Sequence, residues 1–200
     1  MLSVYDEGAP APCPAPFNLA AHVLQAGAAV PDRIALSVIH TTGAERWSYA
    51  RLIAAVRGTA TGLLREGLRP GDVVLMRLGN TVDFPIAYLG AIAAGLVPVP
   101  TSSQLTEAEV APMIAALRPR AVLRDPAIAC APTDAPVFDP TDMAAWRDLP
   151  PSPWDLGDPD RLAYIVYTSG TSGRPRAVGH AHRAIWARRM MHRDWYDLRD

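Results

Sequence analysis

The stretch from Arg69 to Leu123 constrains the fold more than any other part of the chain, because its hydrophobic period keeps switching. Val73–Leu78 is a short apolar run rich in β-branched residues, the pattern of a buried strand. Val82–Ala94 follows at helical spacing and stops at Gly95. Leu96–Val99 reads as a strand again. Thr106-Glu107-Ala108-Glu109 has the form of a capping box, in which hydroxyl and carboxylate satisfy each other's backbone N–H groups, and it starts a helix to Leu117. Pro119 breaks that helix, and Ala121–Leu123 is the next strand. Strands alternating with helices form βαβ units, whose strands run parallel. The expected fold class is therefore α/β, a mostly parallel sheet with flanking helices.

The flanks extend this pattern. Residues 1–16 carry Pro10, Pro12, Pro14 and Pro16, which fix φ and remove donors, so they read as an extended arm. Asn18 caps a helix to about Ala28, and Pro31 ends it. Ile34–Ile39 and Arg46-Trp47 read as two strands joined by a turn at Thr41-Thr42-Gly43. Ser48 caps a helix over Tyr49–Glu66, closed by Gly67. From Arg124 to Arg161 periodicity fades, which predicts a long surface connection with one or two helical turns, anchored by Trp146 and Trp154. Leu162–Tyr167 is a strand pattern, and Ala181–Leu198 reads as a helix.

The chain's 200 residues suit one domain with a sizeable core. A net charge of −1 argues against a chain built to hold nucleic acid or an acidic membrane. The longest nearly apolar run, Ile86–Pro100, is too short for a membrane span and is interrupted by Gly90, Gly95 and Pro98. Asp6 and Glu7 stand where a secretory leader would be basic, so a cytoplasmic protein is expected. Cys13 and Cys130 match no metal or disulfide spacing and read as free thiols.

The chemistry concentrates in Tyr167–Arg176, YTSGTSGRPR. Gly170 and Gly173 let the backbone approach a ligand closely, so that N–H groups can converge on an anion. Thr168, Ser169, Thr171 and Ser172 add hydroxyl donors, and Arg174 and Arg176 add charge in a fork that matches phosphate oxygens. Gly170 and Gly173 are too close together for a Walker loop, and no G-x-G-x-x-G occurs here. The expected phosphate-binding residues are Thr168, Ser169, Gly170, Thr171, Ser172, Gly173, Arg174 and Arg176, with Arg176 offsetting phosphate charge.

Extended to YTSGTSGRPRAVGHAH, this segment resembles the phosphate-loop signature of the adenylate-forming (AMP-dependent synthetase/ligase) superfamily, roughly Y-T-S-G-T-T-G-x-P-K-G-V-x-H-x-H. Upstream, Trp47-Ser48-Tyr49-Ala50-Arg51-Leu52, Gly71-Asp72-Val73-Val74 and the segment Leu89–Pro100 resemble further family motifs. The resemblance runs from about Phe17 to the end, so residues 17–200 are expected to be the first part of the family's AMP-binding N-terminal domain. The family's later motifs, among them its magnesium-binding glutamate and C-terminal lysine, would lie beyond Asp200. The resemblance thus implies a fragment or a truncated gene product that does not turn over alone. Arg176 stands where the family usually has lysine, Ala177 where it has glycine, and Ser172 where it has threonine.

The resemblance implies the ligands ATP, Mg2+, coenzyme A and a small carboxylic acid. The carboxylate would attack the α-phosphate, pyrophosphate would leave, and the CoA thiol would displace AMP. Val97–Leu105, VPVPTSSQL, is more similar to acyl- and aryl-CoA ligases than to peptide-synthetase adenylation domains. An adenylation domain that loads a carrier protein is the alternative, and a non-catalytic nucleotide-binding remnant is a third reading. A homodimer is compatible with all three.

Other clusters read as structural. His180, His182 and His192 have no carboxylate or cysteine at ligand spacing, so no metal site is expected. Arg188, Arg189 and Arg193, beside Trp186, Trp195 and Tyr196, fit the solvated face of an amphipathic helix, with Ile185, Met190 and Met191 toward the core. Asp83, Glu107 and Glu109 read as surface or capping residues.

Overall fold

A computed structural model describes residues 11–168 and 175–196. Its centre is a parallel four-stranded sheet in the order β4-β3-β5-β6, with β3 at Val73–Arg77, β4 at Val97–Pro100, β5 at Ala121–Arg124 and β6 at Val137–Phe138. Two antiparallel ribbons accompany it. One pairs β1 (Ile34–His40) with β2 (Gly43–Ser48), and the other pairs β7 (Leu162–Thr168) with β8 (Arg176–Ala181). The α/β fold class with a mostly parallel sheet is as expected.

The helices begin where side-chain caps stand. Asn18 accepts from the N–H groups of Ala20 and Ala21 to open α1 (Leu19–Leu24). Ser48 accepts from Arg51 N–H to open α2 (Tyr49–Arg65). The capping box between Thr106 and Glu109 opens α4 (Glu107–Leu117). Each cap satisfies backbone donors that the first turn leaves unpaired. α3 spans Asp83–Ala93, and it ends before Gly95, whose φ of +74° suits a residue without a side chain. A Cβ at Gly95 would also overlap the carboxylate of Asp155.

The main core gathers α1, α2, α3 and one face of the sheet, with Leu63, Val74, Met76, Ile92 and Leu123 wholly buried. A second cluster on the other face joins Leu75, Val99, Val110, Val122 and Ile165. Strands buried on both sides explain the uninterrupted apolar runs seen in the sequence.

Three expectations need correction. The connection from Arg124 to Arg161 has its expected helical turns in a capped helix, α5 (Pro140–Arg147), whose Asp139–Asp142 capping box resembles that of α4, but it also contributes a strand, β6, that was not expected. Trp146 is buried and Trp154 is half-buried against the core, as anchors should be. Arg176–Ala181 is a strand, and the last helix, α6 (Ala184–Tyr196), starts three residues later than its sequence pattern suggested. On α6, Ile185 packs on the core, but Met191 is exposed. Asp83 is not a surface residue: it pairs with Arg147, and both side chains are 15% exposed.

Candidate functional site

The hairpin β7–β8 positions the site. Its register pairs Tyr164 with His180, Val166 with Val178, Tyr167 with Ala177 and Thr168 with Arg176. The last pair sets Thr168 and Arg176, the described residues nearest the Ser/Gly-rich segment on each strand, opposite each other. The Thr168 hydroxyl donates to the Arg176 carbonyl at 3.5 Å. The Arg176 side chain is exposed and has no ion-pair partner among the described residues. A cationic fork held open at a loop mouth fits an anionic ligand. Of the other expected phosphate-binding residues, Ser169, Gly170, Thr171, Ser172, Gly173 and Arg174 lie outside the described residues.

The ribbon is anchored from below. Ala163 and Ile165 point into the two cores, and the rings of Tyr164 and His180 stack at 4.6 Å across the strands. Tyr164 also meets Tyr88 of α3 edge-on at 5.8 Å. Gly179 pairs with Ile165, and a Cβ there would come within 2.8 Å of the tip of the Leu162 side chain. His182, just past β8, is fully buried, and its Nδ1 accepts from Leu19 N–H at 3.0 Å. Burial, with Arg161 nearby, lowers its pKa to about 4, so the ring is neutral near pH 7.

Beside the loop mouth lies a cleft of about 560 Å³ lined by Leu105, Glu109, Pro112, Met113, Tyr167 and Pro175. One wall is α4, and the other is the hairpin. Burial raises the pKa of the Tyr167 phenol, which keeps it neutral and hydrogen-bond competent.

The loop that brings Leu105 to this cleft hangs on Arg77, which the sequence reading did not single out. Arg77 ends β3 and is completely buried. Its guanidinium donates to the carbonyls of Ala129 (2.6 and 2.9 Å), Leu105 (2.8 Å) and Ser102, and to the Thr101 hydroxyl at 3.1 Å. Among the described residues no carboxylate takes part. Burial lowers its pKa, and five donors on neutral acceptors offset that cost. Arg77 thereby holds the segment after β4 and the segment after β5 together. The only sequence signal was a charge at the end of an otherwise apolar strand.

Among the described residues, no group of three or more His, Cys, Asp and Glu side chains converges as a metal site. No helix is long and apolar enough to cross a membrane. Cys13 and Cys130 are free thiols, Cys130 buried.

The sequence model of the AMP-binding enzyme family matches residues 23–200. The chain belongs to the AMP-binding enzymes. It is 34% identical over 152 residues to the 4-hydroxybenzoate–CoA/benzoate–CoA ligase of Rhodopseudomonas palustris, covering 68% of this chain and 28% of that protein. It is 29% identical over 185 residues to enterobactin synthase component F of Escherichia coli O157:H7, covering 90% of this chain and 14% of that protein. Among solved structures, apo MatB of Rhodopseudomonas palustris superposes with a TM-score of 0.75 at 26% identity, over 90% of this chain and 38% of that one. The chain therefore spans well under half of these AMP-binding relatives, and what it matches is the N-terminal part of adenylate-forming enzymes.

Proposed function

We propose that this chain supplies the phosphate-gripping part of an enzyme that activates a carboxylic acid with ATP and passes the acyl group to coenzyme A. The observation that carries the reading is the Thr168–Arg176 closure of the hairpin, with the Arg176 fork exposed at the loop mouth. Thr168, Ser169, Gly170, Thr171, Ser172, Gly173 and Arg174 would surround the β- and γ-phosphates with N–H and hydroxyl donors. Arg174 and Arg176 would offset the charge that grows on the departing pyrophosphate. Arginine at 176 keeps the charge of the lysine more usual in the family and offers two donors side by side.

The choice of coenzyme A rests on Val97–Leu105. Arg77 holds residues 101–105 of that segment beside the hairpin, and the segment is more similar to CoA ligases than to peptide synthetases. The relatives include both classes, which keeps a carrier protein as the second reading for the acyl acceptor.

Titration calorimetry of the purified chain with MgATP tests the first part. Saturable binding that Arg176→Ala weakens is expected, and no heat at millimolar ATP from a folded sample would refute it. For the acceptor, pyrophosphate exchange in the whole enzyme is followed by addition of coenzyme A or carrier protein. Acyl transfer to carrier protein alone would reject the CoA reading.

A further inference from the structure

The β7–β8 hairpin changes register along its length. At its base Leu162 pairs with Ala181. From Tyr164 onward the partners stand one residue out of step with that pair: Tyr164 with His180, Val166 with Val178, and Thr168 with Arg176. An irregularity between Leu162 and Tyr164 absorbs the offset. Two registers therefore meet in one ribbon. Had the basal register run on, Arg176 would stand opposite Tyr167. Its side chain would then cross to the other face, because side chains alternate along a strand.

Apolar burial does not select the register that is seen. Val178 is the one large aliphatic side chain of β8. In the observed register it opposes half-buried Val166 and is itself 39% exposed. One step over, it would oppose Ile165, which is 9% exposed within the second core cluster. Burial of Val178 thus favours the other register. Ala177, Gly179 and Ala181 carry too little side chain to resist a slip.

A pair of rings opposes that slip. His180 lies flat on Tyr164, with ring centroids 4.6 Å apart and planes inclined by 11°. Tyr164 is held in turn by Tyr88 of α3, edge-on at 5.8 Å, and Tyr88 lies parallel to Phe84 at 6.4 Å. This row of rings ties the helix to β8 at the first pair beyond the irregularity. Slipped by one residue, His180 would stand opposite Ala163, which is fully buried, and the stack would be lost. We propose that His180 is a positioning residue: its stack on Tyr164 selects the register that sets Arg176 opposite Thr168. An aromatic pair contributes about twofold to tenfold to such an equilibrium beyond its buried area. The effect of that register on phosphate binding rests on the function proposed above, whereas the register itself does not.

The test uses the purified chain with Cys13→Ser and Cys130→Ala, so that introduced thiols pair only with each other. Thr168→Cys with Arg176→Cys reports the observed register, and Tyr167→Cys with Arg176→Cys reports the slipped one. Each disulfide closes only when its two Cβ atoms share a face at about 3.5–4.5 Å. In glutathione buffer, read by peptide mass spectrometry, the bond between positions 168 and 176 is expected to dominate. His180→Ala should lower its equilibrium by about twofold to tenfold and raise that between positions 167 and 176. His180→Phe, which keeps a stacking ring, should restore both. Tyr164→Leu, which removes the other ring, should shift the two bonds as His180→Ala does, with circular dichroism unchanged in all three variants. Titration with MgATP reads the effect on Arg176. His180→Ala should weaken binding, and should weaken it no further once Arg176 is replaced by alanine. Unchanged disulfide equilibria in His180→Ala and Tyr164→Leu, no recovery in His180→Phe, or additive losses of MgATP affinity would each overturn the proposal. A disulfide shift in a chain that binds no MgATP would refute the phosphate reading and uphold His180 as the residue that sets the register.

Discussion

The backbone N–H of Leu19 donates to Nδ1 of His182 at 3.0 Å, joining the start of α1 to the segment just past β8 across 163 residues. The bond requires Nδ1 to be unprotonated. His182 is fully buried, and burial first and Arg161 second lower its pKa from 6.5 to about 4. The unfolded chain therefore binds a proton between these values that the folded chain does not. The stabilisation is complete above pH 6.5 and is lost as pH falls toward 4. Urea midpoints measured from pH 7 to pH 4.5 should fall with pH. In His182→Asn, whose side-chain oxygen can accept from Leu19 without titrating, the His182 share of that slope should vanish. An unchanged slope in the variant would refute the link.

Arg77 should be the least replaceable charge in the fold. Arg77→Met leaves the carbonyls of Ser102, Leu105 and Ala129 without their donor inside the protein. A loss of about 3–5 kcal/mol is expected from urea unfolding, the scale for stranding the partners of a buried charge. Arg77→Lys should recover only part of it, because an ammonium cannot reach acceptors spread across a planar fork.

The contact between α2 and α5 admits no side chain at Gly62. A Cβ there would lie 2.1 Å from the Trp146 ring. Gly62→Ala should cost about 1–3 kcal/mol through overpacking, despite alanine's better helix propensity. Gly79→Ala is the control, since its nearest neighbour, Ile128, would be at 3.8 Å. Thermal melts of the two variants should diverge, and parallel melts would count against this interface.

Arg176→Ala should separate binding from folding. The side chain is exposed and has no ion-pair partner among the described residues, so the melting temperature should hold within the error of a surface substitution. MgATP affinity should fall by about tenfold, as expected when one charged contact to phosphate is removed. Arg176→Lys should bind nearly as well as the native chain. A variant that binds ATP like the native chain would remove Arg176 from the proposed site.

Much of the fold was legible because the signals were local. Asn18, Ser48 and Thr106 act as caps where their positions suggested, and the strands at Val73, Val97 and Ala121 follow from apolar runs. β8 was not legible. Arg-Ala-Val-Gly-His-Ala has no strong strand pattern, its side chains are mostly exposed, and it is a strand because β7 offers it a ladder. Asp83 was read as a capping or surface group, since nothing near it in sequence reveals Arg147. The same holds for Arg77, whose acceptors come from residues 24 to 52 positions away.

The chain by itself determined the alternation of strands and helices from β3 to β5, the family, and the residue types of the proposed phosphate loop. Periodicity, caps and a contiguous motif depend on neighbours within one turn or one loop. Tertiary structure alone decided that the loop springs from an antiparallel hairpin, that Arg77 is buried among carbonyls, and that His182 must stay neutral. Each of these depends on which distant groups desolvate or pair with a side chain, and that is settled only when the chain closes on itself.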